Sequence, residues 1–183
     1  TLPRTVARLM LEAVPQNGVL YTAGDNDSFP LWYLQQVEQL RPDVLVITVP
    51  LLGAQWYRDE LARRHDMLPT VSVDRWPGLG ALLRSTYLRA GLARRAVRVS
   101  TLLDARDRRL IEPAAGWVLE GLVYSPSFDL AAGTVGLAPG TLTRAEAEVP
   151  TAAFRALPAD ADPAAIQMQG LLQCTRVRSL ADT

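Results

Sequence analysis

The chain has 183 residues, of which 49% are hydrophobic and 21% are charged, and its formal net charge is zero. This length suits one domain with a hydrophobic core, and the composition excludes a disordered or fibrous chain. The balanced charge argues against a nucleic acid partner, because no global field would attract a polyanion. Cys174 is the only cysteine, which excludes an internal disulfide and a multi-cysteine metal site.

Apolar periodicity and turn residues divide the chain into alternating helices and strands. Helices are predicted over residues 3–14, 31–40, 54–64 and 79–94, with a last helix from 163 to about 178. Strands are predicted over residues 19–22, 44–49, 70–73, 97–100 and 117–124. Such alternation is typical of βαβ units with right-handed crossovers.

The run of residues 44–49 is continuously apolar and β-branched, as expected for a strand covered on both faces. The sequence therefore predicts an α/β fold, a Rossmann-like three-layer domain with a mainly parallel sheet. Strands 19–22 and 44–49 are expected to be adjacent and central. Residues 1–124 would form this α/β domain, and residues 125–183 a wrapping segment and C-terminal helix of the same domain.

The densest polar cluster is Asp25, Asn26, Asp27 and Ser28, directly after the first predicted strand. Ligands in open α/β sheets bind outside the carboxyl ends of the strands, and carboxylate oxygens suit a hard divalent cation. Asp, Asn and Ser equally build tight turns and helix caps, and this structural interpretation is favoured. Asp27 or Ser28 would cap a helix whose first turn contains Pro30.

Two aromatic pairs, Trp32-Tyr33 and Trp56-Tyr57, stand at the starts of successive predicted helices. Rings near strand ends can stack on a sugar, although such aromatics more often fill the core. His65 is the only histidine, and its charged neighbours favour a solvated position. Without a nucleophile elbow, a phosphate-binding glycine loop or a dinucleotide fingerprint, we predict no catalytic residue, no bound metal and no cofactor.

A longer pattern contains this cluster. It runs from Gly24 through Asp25, Asn26, Asp27, Ser28, Phe29, Pro30, Leu31, Trp32 and Tyr33, continues with Gln36, Val37, Glu38, Arg41, Asp43 and Val44, and ends with Leu51, Leu52, Trp56 and Tyr57. This pattern resembles the soluble region that follows the transmembrane bundle in a large bacterial family of polytopic membrane proteins. Those proteins are grouped with GT-C-type glycosyltransferases and are similar to the animal protein O-mannosyltransferases that modify plexin-type receptors. Ser28 and Thr48 depart from the Thr and Asn that the family usually has.

The resemblance implies a parent enzyme that uses a polyprenyl-phosphate sugar and carries its catalytic carboxylate in the transmembrane part. The chain would then be an excised, extracytoplasmic accessory domain on the periplasmic side of a bacterial membrane protein. It would position an acceptor or the enzyme's loops without catalysing transfer. Its expected partners are the transmembrane portion of the same polypeptide and a glycan or protein acceptor.

The candidate ligand or acceptor edge comprises Asp25, Asn26, Asp27, Ser28, Trp32, Trp56 and Tyr57. An alternative function belongs to a different class. In this alternative, the chain is a self-contained, metal-dependent nucleotide-sugar glycosyltransferase in which Asp25 and Asp27 hold the metal ion.

Overall fold

The computed structural model describes residues 2–69 and 76–138. Five helices are described: α1 (Leu2–Glu12), α2 (Asp25–Gln36), α3 (Gln55–Arg63), α4 (Leu79–Leu92) and α5 (Ala105–Ile111). The described strands are β1 (Val19–Thr22), β2 (Leu45–Thr48), β3 (Val97–Ser100), β4 (Gly116–Glu120), β5 (Val123–Ser127) and β6 (Val135–Leu137). A short 3₁₀ helix, Val49–Gly53, joins β2 to the segment before α3.

Most predicted elements are confirmed to within a few residues, but α2 begins earlier than predicted. It starts at Asp25 rather than Leu31, so that Pro30 lies inside the helix. Proline has no N–H to donate, so inside a helix it removes one hydrogen bond, whereas in the first turn it removes none. For this reason the sequence predicted that the helix starts near Pro30. The predicted strand at 70–73, the predicted last helix and most of the wrapping segment lie outside the described residues.

The strands form one mixed sheet in the order β2-β1-β3-β5-β4-β6. β1 pairs in parallel with both β2 and β3, and β4 pairs in parallel with β6, whereas β5 is antiparallel to β3 and β4. The α/β class is confirmed, but the prediction of a mainly parallel, Rossmann-like sheet is wrong. The cause is the hairpin between β4 and β5, because a two-residue connection can join only antiparallel strands.

That hairpin lies inside the single strand predicted over residues 117–124. Gly121 has a φ of 59°, a left-handed conformation that glycine adopts readily and other residues rarely do. The chain therefore reverses at Gly121 and Leu122 and returns as β5. The sheet continues past residue 124 through β5 and β6.

The predicted neighbours β1 and β2 do pair, with Val19 opposite Leu45 and Thr22 opposite Thr48. β1 is internal, as predicted, whereas β2 is the outermost strand on its side among residues 2–69 and 76–138. Its side chains are nevertheless buried throughout. A strand covered on both faces has the same continuously apolar sequence at an edge and at the centre of a sheet, so the sequence does not distinguish these positions.

Helices cover both faces of the sheet, so the predicted three layers are present. Alternate residues of a strand point to opposite faces, and the two apolar clusters of the core follow this rule. Leu20 and Val46 pack with α1 and α2 on one face, whereas Tyr21 and Ile47 pack with α3 and α4 on the other. Helices α2 and α3 therefore flank the edge strand β2 from opposite sides.

Candidate functional site

The polar segment after β1 is divided between the surface and the interior. Asp25 and Asn26 are exposed in the first turn of α2, whereas Asp27 and Ser28 are buried. Their different surroundings follow from the helix itself, because successive residues point about 100° apart around its axis. The four residues therefore do not form one continuous ligand-facing edge.

Asp27 closes the turn between β1 and α2. One carboxylate oxygen accepts a hydrogen bond from the Ala23 N–H at 2.9 Å, and the other accepts one from the Gly24 N–H at 3.0 Å. Its negative charge also lies in the first turn, where the helix dipole favours an anion. The predicted N-cap role is therefore wrong for Asp27, because Gly24 is the N-cap and Asp27 bonds the N–H groups before the helix from its third position.

Three buried hydroxyl groups form a cluster below this turn: Thr22, Ser28 and Thr48. The Ser28 hydroxyl lies 2.7 Å from that of Thr22 and accepts a hydrogen bond from that of Thr48 at 2.9 Å. Thr22 also donates to the Thr48 hydroxyl at 3.3 Å. This hydroxyl cluster joins the start of α2 to the carboxyl ends of β1 and β2.

A groove of about 410 Å³ lies along the side of β2 that faces away from β1, between α2 and α3. We call it the α2–α3 groove. It is lined by Trp32, Gln35, Gln36, Pro42, Val44, Leu45, Val46, Trp56, Tyr57, Glu60, Leu61 and His65. Its volume lies within the range of small-molecule sites, and its lining mixes aromatic rings with a few polar groups, as such sites do.

The predicted aromatic residues Trp32, Trp56 and Tyr57 meet in this groove, but their exposure differs. Tyr57 is a core residue, Trp32 is half-buried, and Trp56 is 59% exposed. The rings of Trp56 and Tyr57 pack edge to face, with centroids 5.5 Å apart. Trp56 therefore has a supported position while much of its indole surface faces water.

The floor of the groove is the edge of β2, whose outward backbone groups are engaged by side chains. The Tyr57 hydroxyl accepts a hydrogen bond from the Thr48 N–H at 2.9 Å and donates to the Val46 carbonyl at 3.3 Å. The Gln35 amide donates to the carbonyls of Val44 and Arg41 at 2.8 and 2.9 Å. Burial raises the pKa of Tyr57, so this hydroxyl stays protonated across the physiological range.

Glu60 and His65 lie at the polar part of the groove. Glu60 makes an ion pair with Arg64 at 3.2 Å on the helix surface. Partial burial lowers the pKa of His65 below its usual value, with a smaller opposing effect from Glu60. The imidazole is therefore neutral at pH 7 and offers one hydrogen-bond donor and one acceptor.

A second cavity of about 480 Å³ adjoins the groove and shares Pro42, Val44, Leu45 and His65 with it. Arg95 also lines this cavity, and its guanidinium donates to the carbonyls of Asn17 and Gly18 at 2.7 and 3.1 Å. The two cavities together extend the concave surface from the aromatic rings toward the amino end of β2.

Asp43 also lines this second cavity, and its contribution to the stability of the fold depends on pH. The bidentate hydrogen bond from Arg41, aided by the Asn17 N–H, holds the pKa of Asp43 well below its usual range. A lowered pKa stabilises the fold above the unfolded value near 3.9, and this contribution is lost as the pH falls through the folded value.

We expect Asp43→Asn to lower the free energy of unfolding by about 1 kcal/mol at pH 7, because one charge-assisted pair is lost. The difference from the unsubstituted chain should shrink below about pH 4. Urea unfolding at pH 7 and pH 3 measures both values. A difference that grows on acidification would contradict this account of Asp43.

The structure thus places the predicted site residues in two locations, the start of α2 and the α2–α3 groove. Thr48 makes hydrogen bonds at both. Its hydroxyl belongs to the hydroxyl cluster, and its N–H binds Tyr57 at the groove. Sequence reasoning missed Gln35, Gln36 and Glu60. Its solvated position for His65 is confirmed, and His65 also lines the groove. The available signal was that Gln35 and Gln36 lie three and four residues after Trp32, and Glu60 lies four after Trp56, because such neighbours share a helix face.

Within residues 2–69 and 76–138, no group of three or more His, Cys, Asp or Glu side chains could hold a metal ion. Asp27 uses both carboxylate oxygens in backbone hydrogen bonds. In the same ranges, no helix is both long and apolar enough to cross a membrane.

Comparison with known proteins relates the chain to protein O-mannosyltransferases. Residues 3–75 match the family model described as TMEM260-associated domain 2. The mouse (Mus musculus) protein O-mannosyl-transferase TMEM260 is 35% identical over 81 residues, which are 43% of this chain and 11% of the mouse protein. The chain thus matches only a small part of that relative's length. No solved structure shows a significant match.

Proposed function

We propose that the chain is an accessory domain of a bacterial, membrane-embedded GT-C-type glycosyltransferase, on the extracytoplasmic (periplasmic) side of the membrane. In this role it positions an acceptor, or loops of the enzyme, and does not transfer sugar itself. Support comes from the match to a domain associated with TMEM260 and from the printed name of the mouse relative, a protein O-mannosyl-transferase. The absence of Lys, all basic side chains being Arg or the one His, supports a GC-rich bacterial origin.

The observation that carries the proposal is the inward orientation of Asp27 and Ser28, the buried half of the polar motif. Asp27 and Ser28 are 2% and 1% exposed, and both are used to hold α2 against the strand ends. A catalytic group must reach the reacting atoms, and burial keeps Asp27 and Ser28 away from a substrate in solution. These two residues are therefore structural parts of the fold, and the exposed groove remains for binding.

The alternative, a metal-dependent nucleotide-sugar transferase, has less support. It requires Asp25 and Asp27 to hold one ion together, as paired carboxylates do in metal sites. Asp25 is exposed, but both oxygens of Asp27 are already bound to the Ala23 and Gly24 N–H groups. Asp27 is also buried, so an ion shared with the exposed Asp25 would have to lie partly inside the turn.

An exposed apolar stripe supports contact between this domain and the transmembrane portion of the same polypeptide. Phe29, Tyr33 and Val37 follow one another at spacings of four along α2 and are 55%, 54% and 63% exposed. Residues four apart lie on one helix face. Contiguous exposed apolar surface is typical of faces that meet another protein element.

The proposal predicts no glycosyl transfer by the 183-residue chain alone. We expect no product with polyprenyl-phosphate-linked or nucleotide-linked sugars, even with Mg²⁺ or Mn²⁺ present, because the described residues bring together no nucleophile, base and donor site. Mass spectrometry of peptide and glycan acceptors after prolonged incubation is the measurement. Turnover that disappears in Asp25→Ala would reject the accessory role and establish the alternative.

A further inference from the structure

We infer that the α2–α3 groove binds a neutral carbohydrate, with one sugar ring stacked on Trp56 and its hydroxyls hydrogen-bonded by Gln36, Glu60 and His65. This inference deepens the proposed function and rests on it for its biological meaning, since it names the class of ligand that the domain would position. The binding itself depends only on the residues of the groove.

The first argument is the combination of an exposed ring with polar groups beside it. A sugar ring has an apolar C–H face and an edge of hydroxyl groups, so it needs a flat apolar surface flanked by donors and acceptors. Trp56 supplies the surface, because its indole is 59% exposed and is supported by Tyr57. Gln36, Glu60 and His65 line the same groove and supply an amide, a carboxylate and an imidazole.

The second argument separates a sugar from an extended peptide. A peptide that adds to a sheet edge gains its affinity from main-chain hydrogen bonds to that edge. In β2 the Thr48 N–H and the Val46 carbonyl are bound by Tyr57, and the Val44 carbonyl is bound by Gln35. Side chains thus occupy three of the outward backbone groups that a strand would need, which favours recognition through side chains and ring surfaces.

The third argument separates a neutral sugar from a phosphorylated one. Phosphate recognition calls for available guanidinium or ammonium groups. Arg64 is paired with Glu60, and Arg95 in the adjoining cavity donates to the carbonyls of Asn17 and Gly18. The groove itself contributes the Glu60 carboxylate, which suits hydroxyl groups and would repel a phosphate, and the His65 imidazole, which can hydrogen-bond hydroxyl groups.

The size of the concave surface favours more than one ring. The groove holds about 410 Å³, and the cavity that shares its wall at Pro42, Val44, Leu45 and His65 adds about 480 Å³. A linear oligosaccharide stacked at Trp56 can continue past His65 into the second cavity. We therefore expect tighter binding of a trisaccharide than of a single hexose.

The test titrates the 183-residue chain with mannose, glucose, galactose, a linear mannose trisaccharide and mannose 1-phosphate. Saturation-transfer NMR and tryptophan fluorescence report binding. We expect saturable binding of at least one neutral sugar, strongest for an oligosaccharide, that is about tenfold weaker in Trp56→Ala. Glu60→Gln, which preserves shape, should weaken it as well, whereas mannose 1-phosphate should bind less well than mannose.

Phe128→Ala is the matched control, because Phe128 is another exposed aromatic residue, 67% exposed, that does not line the groove. It should leave sugar binding unchanged. No binding of any sugar, or binding that Trp56→Ala leaves intact, would overturn the inference. So would a preference for an unstructured Ser/Thr-rich peptide over every sugar. None of these outcomes involves glycosyl transfer, so each would leave the proposed accessory role unchanged. Glycosyl transfer by the chain alone would reject that role without affecting the inference of sugar binding in the groove.

Discussion

Replacing Asp27 with Ala is expected to destabilise the fold by about 2–3 kcal/mol. The substitution removes the acceptors of the Ala23 and Gly24 N–H groups, which lie in a turn that is partly buried. A donor left without a partner in such a place costs about 1–3 kcal/mol, and the loss of an N-terminal cap alone costs about 1 kcal/mol. Urea unfolding followed by circular dichroism gives the free energy of unfolding for comparison.

Asp25→Ala provides a matched control two residues away. Asp25 lies in the same first turn of α2 but is exposed, so its removal should cost only the dipole interaction, about 0.5 kcal/mol. Equal effects of the two substitutions would show that the carboxylates act alike, as a shared ion site would require. A large effect of Asp27→Ala alone identifies the carboxylate as a structural cap.

The parts of the fold that follow from local sequence were predictable. The apolar runs of β1 and β2 and the single helix between them required parallel pairing, which the register of Val19 with Leu45 confirms. Burial of Asp27 was equally within reach, because Asp near a helix start usually caps it. Such features depend on residues close together in the chain.

The features that were not predictable depend on what lies across the sheet. An edge strand and a central strand look alike when both faces are covered, so the sequence of β2 does not reveal its open side. The α2–α3 groove lies on the side of β2 that faces away from β1, where the sequence led us to expect another strand. Gln36 and Glu60 line the groove only because α2 and α3 flank β2 from opposite sides.

The hairpin at Gly121 shows the same limitation in another form. Residues 117–124 are apolar enough to continue as one strand, and a glycine in a strand pattern also fits a bulge. The reversal at Gly121 depends on β5 finding partners in β3 and β4. The mixed sheet thus depends on pairing between strands, which the local apolar pattern does not determine.

Replacing Tyr57 with Phe is expected to destabilise the fold by about 1–3 kcal/mol and to open the edge of β2 to association. The phenylalanine keeps the ring but loses the hydroxyl that accepts from the Thr48 N–H and donates to the Val46 carbonyl, and Thr48 is only 3% exposed. Unpaired strand edges promote pairing between chains, so sedimentation velocity should show concentration-dependent oligomers that the unsubstituted chain lacks. Tyr33→Phe, on an exposed ring outside the groove, should change the free energy of unfolding by less than about 0.5 kcal/mol. If both variants unfold at the same urea concentration and remain monomeric, Tyr57 does not protect the edge of β2. The argument against addition of a peptide strand at the groove would then fail.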